Sequence, residues 1–316
     1  MKTLQTSIED FLCHCQFEKN LCSNTTKAYK IDLEQFLKFV QNNGYSETIE
    51  KLDKVTLKAY LKQLSGFKPK TIKRKVASIK AFLNEMEVEE VIMINPFRKM
   101  RVQIKEPIIL PTVMNSLEVE KLINAVWNDR KLYQCESFSY SQVIRNIAVF
   151  EMLFATGMRV SELCNLKIND IDFTTYTVRI NGKGNKERLT QVCNSEAILA
   201  LSRYHDLFKD RMSDNSFFFQ NRTNNRFSEQ SVRHLIKKYV SLTGLTKNIT
   251  PHTFRHSFAT LLLEEDVDIK YIQQLLGHSS IMTTQIYTHV NMQQKIKLLN
   301  LKHPRKNFQV VTTEIQ

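Results

Sequence analysis

Tyr287 stands nine residues after His278 in GHSSIMTTQIYTHV. Four more residues upstream could converge with that pair: Arg159 in ATGMRVSELCNL, Lys183 in NGKGNKER, and His252 and Arg255 in PHTFRHSFATLL. A tyrosine gathered with two arginines, a lysine and two histidines suits attack on a phosphodiester, because the cations neutralise charge that grows on the phosphoryl oxygens in the transition state. Free tyrosine, with a pKa of about 10, is a poor nucleophile at neutral pH. Clustered cations favour its phenolate and a general base can take its proton, so Tyr287 makes chemical sense only together with the others.

Taken singly, each member is ordinary. Arg159 and Glu162, three residues apart at a helix start, have the spacing of a surface salt bridge, and the carboxylate is close enough to orient the guanidinium. His252 and Arg255 follow Pro251 and project from one face of a helix start, where the helix dipole favours a phosphate. Lys183 sits between Gly182 and Gly184 at a bend, where a mobile arm could push an ammonium into a DNA groove. His256 and His289 neighbour these motifs, but nothing in their spacing assigns them chemistry, and both read as structural.

Elements that could hold such a group follow from periodicity. Residues 25–40 place Ala28, Tyr29, Leu33, Phe36, Leu37 and Val40 at helical spacing after the start signal Ser23, Asn24, Thr25. Further helices are predicted at about 54–64 and 70–86, the latter with Ile72, Val76, Ile79, Phe82, Leu83 and Met86 on one side. Between about 97 and 114 periodicity fails, Pro107 and Pro111 interrupt any helix, and a linker divides the chain near residue 105. A new helix begins after Asn115 and Ser116, with Glu118 and Glu120 in its favourable first turn. Helices are then predicted near 142–156, 160–166, 195–212, 228–243, 252–264, 268–276 and 281–299. The strands VRI (178–180) and RLTQV (188–192) flank a glycine-containing bend and read as a β-hairpin.

The chain has 316 residues, enough for two domains with separate cores, and only seven glycines and six prolines, which fits helix-rich structure. Its net charge of +13 is spread over both halves, with 17 Lys/Arg against 12 Asp/Glu in residues 1–100 and 28 against 20 in the rest. That balance points to a polyanionic partner. The densest run, Lys68, Lys70, Lys73, Arg74, Lys75 and Lys80, occupies thirteen residues without an acid, so Lys70, Lys73, Arg74, Lys75 and Lys80 are candidates for DNA contact, against a plain solvated face. With no run of eighteen apolar residues and a polar start, MKTLQTSIED, no membrane partner is expected and the protein is expected in the cytoplasm. The six cysteines lack paired CxxC spacing and are expected as thiols. Cys13, His14, Cys15 and Cys22 lack the spaced pairs of zinc modules and read as packing residues.

The catalytic half resembles the tyrosine recombinase (phage integrase) family through ATGMRVSELCNLKINDID, GKGNKERLTQV and HTFRHSFATLLLEEDVDIKYIQQLLGHSSIMTTQIYTHV, in order and spacing. The N-terminal half is similar to that family's core-binding domain through SNTTKAYKIDLEQFLKFV and KTIKRKVASIKAFLNEM. The resemblance runs from about residue 5 to 305 and comes nearest to compact Xer-like members and mobile-element integrases. It implies a mainly α fold: a helical, SAM-like core-binding domain over 1–98, a linker over 99–114, and an α-rich catalytic domain over 115–316 with a small antiparallel β-hairpin or sheet.

It also implies roles. Tyr287 would form a 3′-phosphotyrosyl link and free a 5′-hydroxyl, while Arg159 and Arg255 hold the non-bridging oxygens. Lys183 would protonate the leaving oxygen, His252 would act as acid/base, His278 would donate to the phosphoryl group, and Glu162 would support Arg159. Neither a cofactor nor a metal is implied. Two recombination sites on double-stranded DNA would be held by a homo-tetramer, or by a hetero-tetramer with a second recombinase. The segment 128–142 is longer than the matching turn of compact Xer-like members, and no added N-terminal arm-binding domain is found. Both features lean toward integration, excision or inversion of a mobile element, with Xer-type dimer resolution as the alternative. After Tyr287, Met292, Ile296 and Leu299 form an apolar stripe that suits packing on a neighbouring protomer or on its own domain. A catalytically idle DNA-binding protein would show degraded motif positions, whereas all six hold competent residues; a relaxing topoisomerase would lack site preference.

Overall fold

The computed structural model describes residues 2–107, 110–135, 137–182, 187–213 and 216–277. The chain forms two compact units, Met1–Ile108 and Ile109–Gln316. It is mainly α-helical with one small sheet.

The first unit contains α1 (Leu4–Phe17), α2 (Ser23–Asn42), α3 (Lys54–Gln63) and α4 (Pro69–Val88). The apolar stripes predicted for α2 and α4 meet in its core, where Leu33, Phe36, Val40, Ile79, Phe82 and Leu83 are almost fully buried. Helix α1 was absent from the periodicity reading. Leu4, Ile8, Phe11 and Cys15 nevertheless repeat at helical spacing and are buried, and the Thr3 side chain caps the helix by accepting from the Thr6 N–H. Cys15 packs in this core, whereas Cys13 and Cys22 are exposed, so the packing account holds for only one of the three.

The second unit contains α5 (Ser116–Asp129), α6 (Phe138–Thr156), α7 (Val160–Asn165), β1 (Ile171–Asp172), β2 (Thr177–Asn181), β3 (Glu187–Gln191), α8 (Ser195–Phe208), α9 (Glu229–Thr243), α10 (Pro251–Glu264) and α11 (Ile269–Leu276). Its core surrounds α6, whose face carrying Ile147, Phe150 and Leu153 is buried. Phe150 meets Phe254 of α10 and Tyr239 of α9 edge-on, which fixes those helices around it. The predicted cap at Asn115 forms a reciprocal box: its side chain accepts from the Glu118 N–H at 2.9 Å, and Glu118 accepts from the Asn115 N–H at 2.9 Å. Helix α6 starts four residues earlier than predicted because Ser137 caps it, accepting from the Tyr140 N–H.

The sheet has the order β1-β2-β3 and is antiparallel throughout, with Ile180 opposite Arg188. It is the predicted hairpin plus one short strand. The predicted helix over 281–299 lies outside the described residues.

Candidate active site

Three chain segments bring basic side chains together in the second unit. The first is the sharp passage from α6 to α7. Gly157 ends α6 with φ +59°, a left-handed conformation that glycine adopts without strain. An added Cβ there would lie 2.5 Å from Cδ1 of Phe258, so the space also demands glycine. Two residues on, Arg159 takes the N-cap position of α7. Its backbone N–H donates to Glu162 Oε2 at 2.8 Å and its Nη1 donates to Oε1 at 2.7 Å.

The second segment is β3. Arg188 donates from Nη1 to Glu162 Oε1 at 3.0 Å and from Nη2 to Oε2 at 2.8 Å, a bidentate fork on the same carboxylate. Its Nε donates to the carbonyl of Leu275 at 2.9 Å. The third segment is α10 with the end of α11. Arg255, only 4% exposed, donates from Nη1 to the carbonyl of Gly157 at 2.9 Å and from Nη2 to that of Leu276 at 2.6 Å. Two helix C-termini, where carbonyl dipoles leave partial negative charge, therefore point at one guanidinium.

These bonds tie the segments into one cluster. Arg159 and Arg188 share Glu162; Arg188 and Arg255 grip consecutive carbonyls at the end of α11; and Arg255 holds the turn that presents Arg159. Burial pushes the Glu162 carboxyl up. The Arg188 hydrogen bond, the Arg159 N–H, the Arg188 charge and the Arg159 guanidinium outweigh that and hold it below the usual carboxylate value. His252 is exposed in the first turn of α10, and its ring lies 6.5 Å from that of His256. Burial, with His252 and Arg255 nearby, pushes the His256 imidazole down to about 4, so it is neutral at pH 7.

Arg159, Glu162, His252 and Arg255 thus lie in this cluster or on the helix that builds it. Lys183, His278 and Tyr287 lie outside the described residues. Arg188 was missed by the sequence reading, in which RLTQV was only a strand. Its signal was a basic residue opening that strand five positions after Lys183. Gly277 (φ +64°) was missed too: a Cβ there would lie 3.0 Å from Cδ of Arg188. Among the described residues no group of three or more His, Cys, Asp and Glu side chains could hold a metal ion.

The basic run of α4 is less uniform than its sequence. Lys75 must be removed from the DNA-contact set: it is 2% exposed, and its ammonium bonds to Asp32 at 3.4 Å and to the Gln35 side chain. Helical geometry explains this, since Lys75 adjoins Val76 and lies four residues before Ile79, on the buried side. Arg74 donates to the same Asp32 at 2.5 Å while about half exposed, Lys73 pairs with Glu106 at 3.2 Å, and Lys80 lies over the Phe97 ring. Lys70 is exposed at the start of the helix.

The profile of the phage integrase family matches residues 112–294, and that of the phage integrase N-terminal SAM-like domain matches residues 8–90. A tyrosine recombinase of Agathobacter rectalis is 42% identical over 309 residues, covering 98% of this chain and 99% of that protein. Tyrosine recombinase XerC of Thermodesulfovibrio yellowstonii is 34% identical over 313 residues, with 96% and 98% covered. Among solved structures, the XerH site-specific recombinase bound to its palindromic difH substrate superposes with a TM-score of 0.71, at 21% identity, over 93% of this chain and 83% of that one. With the family profiles matching both units and full-length relatives above 30% identity, the chain belongs to the phage integrase family of tyrosine recombinases, enzymes of site-specific DNA recombination.

Proposed function

We propose that this chain cuts and rejoins double-stranded DNA through a 3′-phosphotyrosyl intermediate made by Tyr287. The phenolic oxygen attacks the scissile phosphorus, the bond to the 5′-oxygen breaks, and Lys183 protonates that leaving oxygen. Arg159 and Arg255 neutralise the non-bridging oxygens, His278 donates to the phosphoryl group and His252 serves as acid/base near the nucleophile. Bond energy stays in the phosphotyrosine, so a new 5′-hydroxyl reverses the step without ATP or an obligatory metal. What carries this assignment is the shared clamp of Arg159 and Arg188 on Glu162, joined through backbone carbonyls to Arg255. A nicked suicide duplex, which loses the strand needed for religation, tests it: a denaturation-resistant protein–DNA adduct forms with the native chain and is lost in Tyr287→Phe. An adduct that persists in the Phe variant removes Tyr287 as nucleophile.

Strand exchange between two sites asks for four protomers, and the second unit offers a surface for their contact. A groove of about 710 Å³ is lined by Val119, Ile123, Trp127, Phe154, Leu261 and Leu262, with Glu120, Glu151, Glu196 and Glu265 among them. Residues 291–306 carry the stripe Met292, Ile296 and Leu299 with Lys295, Lys297, Lys302, Arg305 and Lys306, and no acid. That segment of a neighbouring protomer complements the groove in both apolarity and charge.

As its biological role we propose integration, excision or inversion of a mobile element, supported by the segment 128–142, longer than the matching turn of compact Xer-like members. The near end-to-end likeness to XerC favours a second reading, Xer-type dimer resolution. Sequencing the DNA trapped on the protein in its host separates them: sites at the ends of a movable segment support the first, and a single chromosomal locus supports the second.

A further inference from the structure

Glu162 is a buried carboxylate beside Arg159, the arginine expected to face the phosphate. Its side chain is 4% exposed, against 33% for Arg159 and 11% for Arg188. A lone carboxylate there would neutralise Arg159 and cancel the charge that phosphoryl transfer draws on. Arg188 changes that balance. Its two terminal nitrogens engage both carboxylate oxygens, whereas the Arg159 side chain uses one nitrogen on one of them. Arg188 is also the more buried of the two and is anchored a third time, through Nε, on the carbonyl of Leu275. Around Glu162 itself, the two guanidinium groups of Arg159 and Arg188 against one carboxylate leave one net positive charge, and the more exposed of the two arginines is Arg159.

We propose that Arg188 is a positioning residue of the recombination reaction, serving as the counterion of Glu162 so that Arg159 keeps its charge for the scissile phosphate. Glu162 then holds the Arg159 backbone and side chain in place without cancelling them. The grip of Arg188 on Leu275, and the close seat that Gly277 leaves for its side chain, set the end of α11 against the same cluster. This rests on the reading of the chain as an active tyrosine recombinase with Arg159 at the phosphate.

The test measures adduct formation on the nicked suicide duplex under single-turnover conditions, with DNA affinity and thermal unfolding measured in parallel. Arg188→Met lowers the cleavage rate by roughly 100-fold with little change in DNA affinity, the scale expected when a reacting group is misplaced or neutralised. Adding Glu162→Gln removes the unbalanced carboxylate. The double variant Arg188→Met/Glu162→Gln recovers about tenfold or more of the lost rate, since one charge pair near a surface is worth that much. Arg188→Lys, which keeps the charge but not the fork, retains more activity than Arg188→Met.

A merely structural role predicts the opposite order, because the double variant has lost more of the native bonds than the single one. A double variant no faster than Arg188→Met, or an Arg188→Met rate equal to that of the native chain, overturns the proposal. Should Arg188→Met fail to fold, the double variant and Arg188→Lys decide: the proposal requires both to cleave within about tenfold of the native rate, and slower cleavage by folded protein overturns it. Absence of any native adduct would instead remove the recombinase reading on which the proposal stands.

Discussion

At Gly157 one residue shapes both the backbone turn and the arginine cluster. Its left-handed φ ends α6, its missing side chain makes room for Phe258, and its carbonyl accepts from Arg255. Gly157→Ala is expected to cost about 3 kcal/mol, combining left-handed strain with overpacking, and to slow cleavage by moving Arg255. Denaturant unfolding and adduct formation check the two effects. His256 sets a pH signature. Its folded pKa of about 4 lies below the ordinary 6.5, so the unfolded chain takes up the proton first. Stability is therefore flat above about pH 6.5 and falls as pH drops toward 4. Glu162 acts in a lower window: its depressed pKa gives stability that is present above the ordinary 4.5 and lost as pH falls through the folded value. His256→Gln should flatten thermal stability between pH 6.5 and 4.5 while leaving the acid loss below it.

At the scale of elements, the pairing of α2 with α4 depends on a buried charge as well as on apolar stripes. Asp32 is fully buried and accepts from Arg74, Lys75 and Ser78, while Lys75 itself is almost fully buried. Asp32→Ala would leave the Lys75 ammonium without its counter-charge and is expected to destabilise the protein by about 3 to 5 kcal/mol, measured by denaturant unfolding. The apolar spacing of both helices was legible along the chain. The fate of Lys75 was not, because six basic residues within thirteen look alike until the facing helix supplies an aspartate to one of them. The same limit hid Arg188: strand periodicity places it, but only the packing of α7 and α11 against β3 gives it Glu162 and Leu275. Helix α1 was lost to a weaker signal, a short stripe diluted by polar residues.

For the whole molecule, charge should govern DNA affinity. Each lysine that meets a phosphate contributes about 0.9 to the slope of log affinity against log salt. Lys70→Ala and Lys73→Ala are expected to lower that slope by about this much each, whereas Lys75→Ala should cost stability and leave it unchanged. Filter binding across a salt series separates them. Assembly has its own probe, since Trp127 is the only tryptophan and lines the apolar groove. If a neighbouring protomer fills that groove, Trp127 emission shifts with protein concentration, and removing residues 291–316 abolishes the shift; emission independent of concentration argues for docking within one chain. The sequence by itself determined the family and the helical class and singled out the candidate reacting side chains, because residue type, order and spacing are local properties. Which charges face outward and which are spent internally was decided by tertiary structure alone. Whether a guanidinium or ammonium keeps its charge for DNA depends on how the buried carboxylate beside it is already paired, and the deciding partners lie 26 residues away for Arg188 and 43 for Lys75.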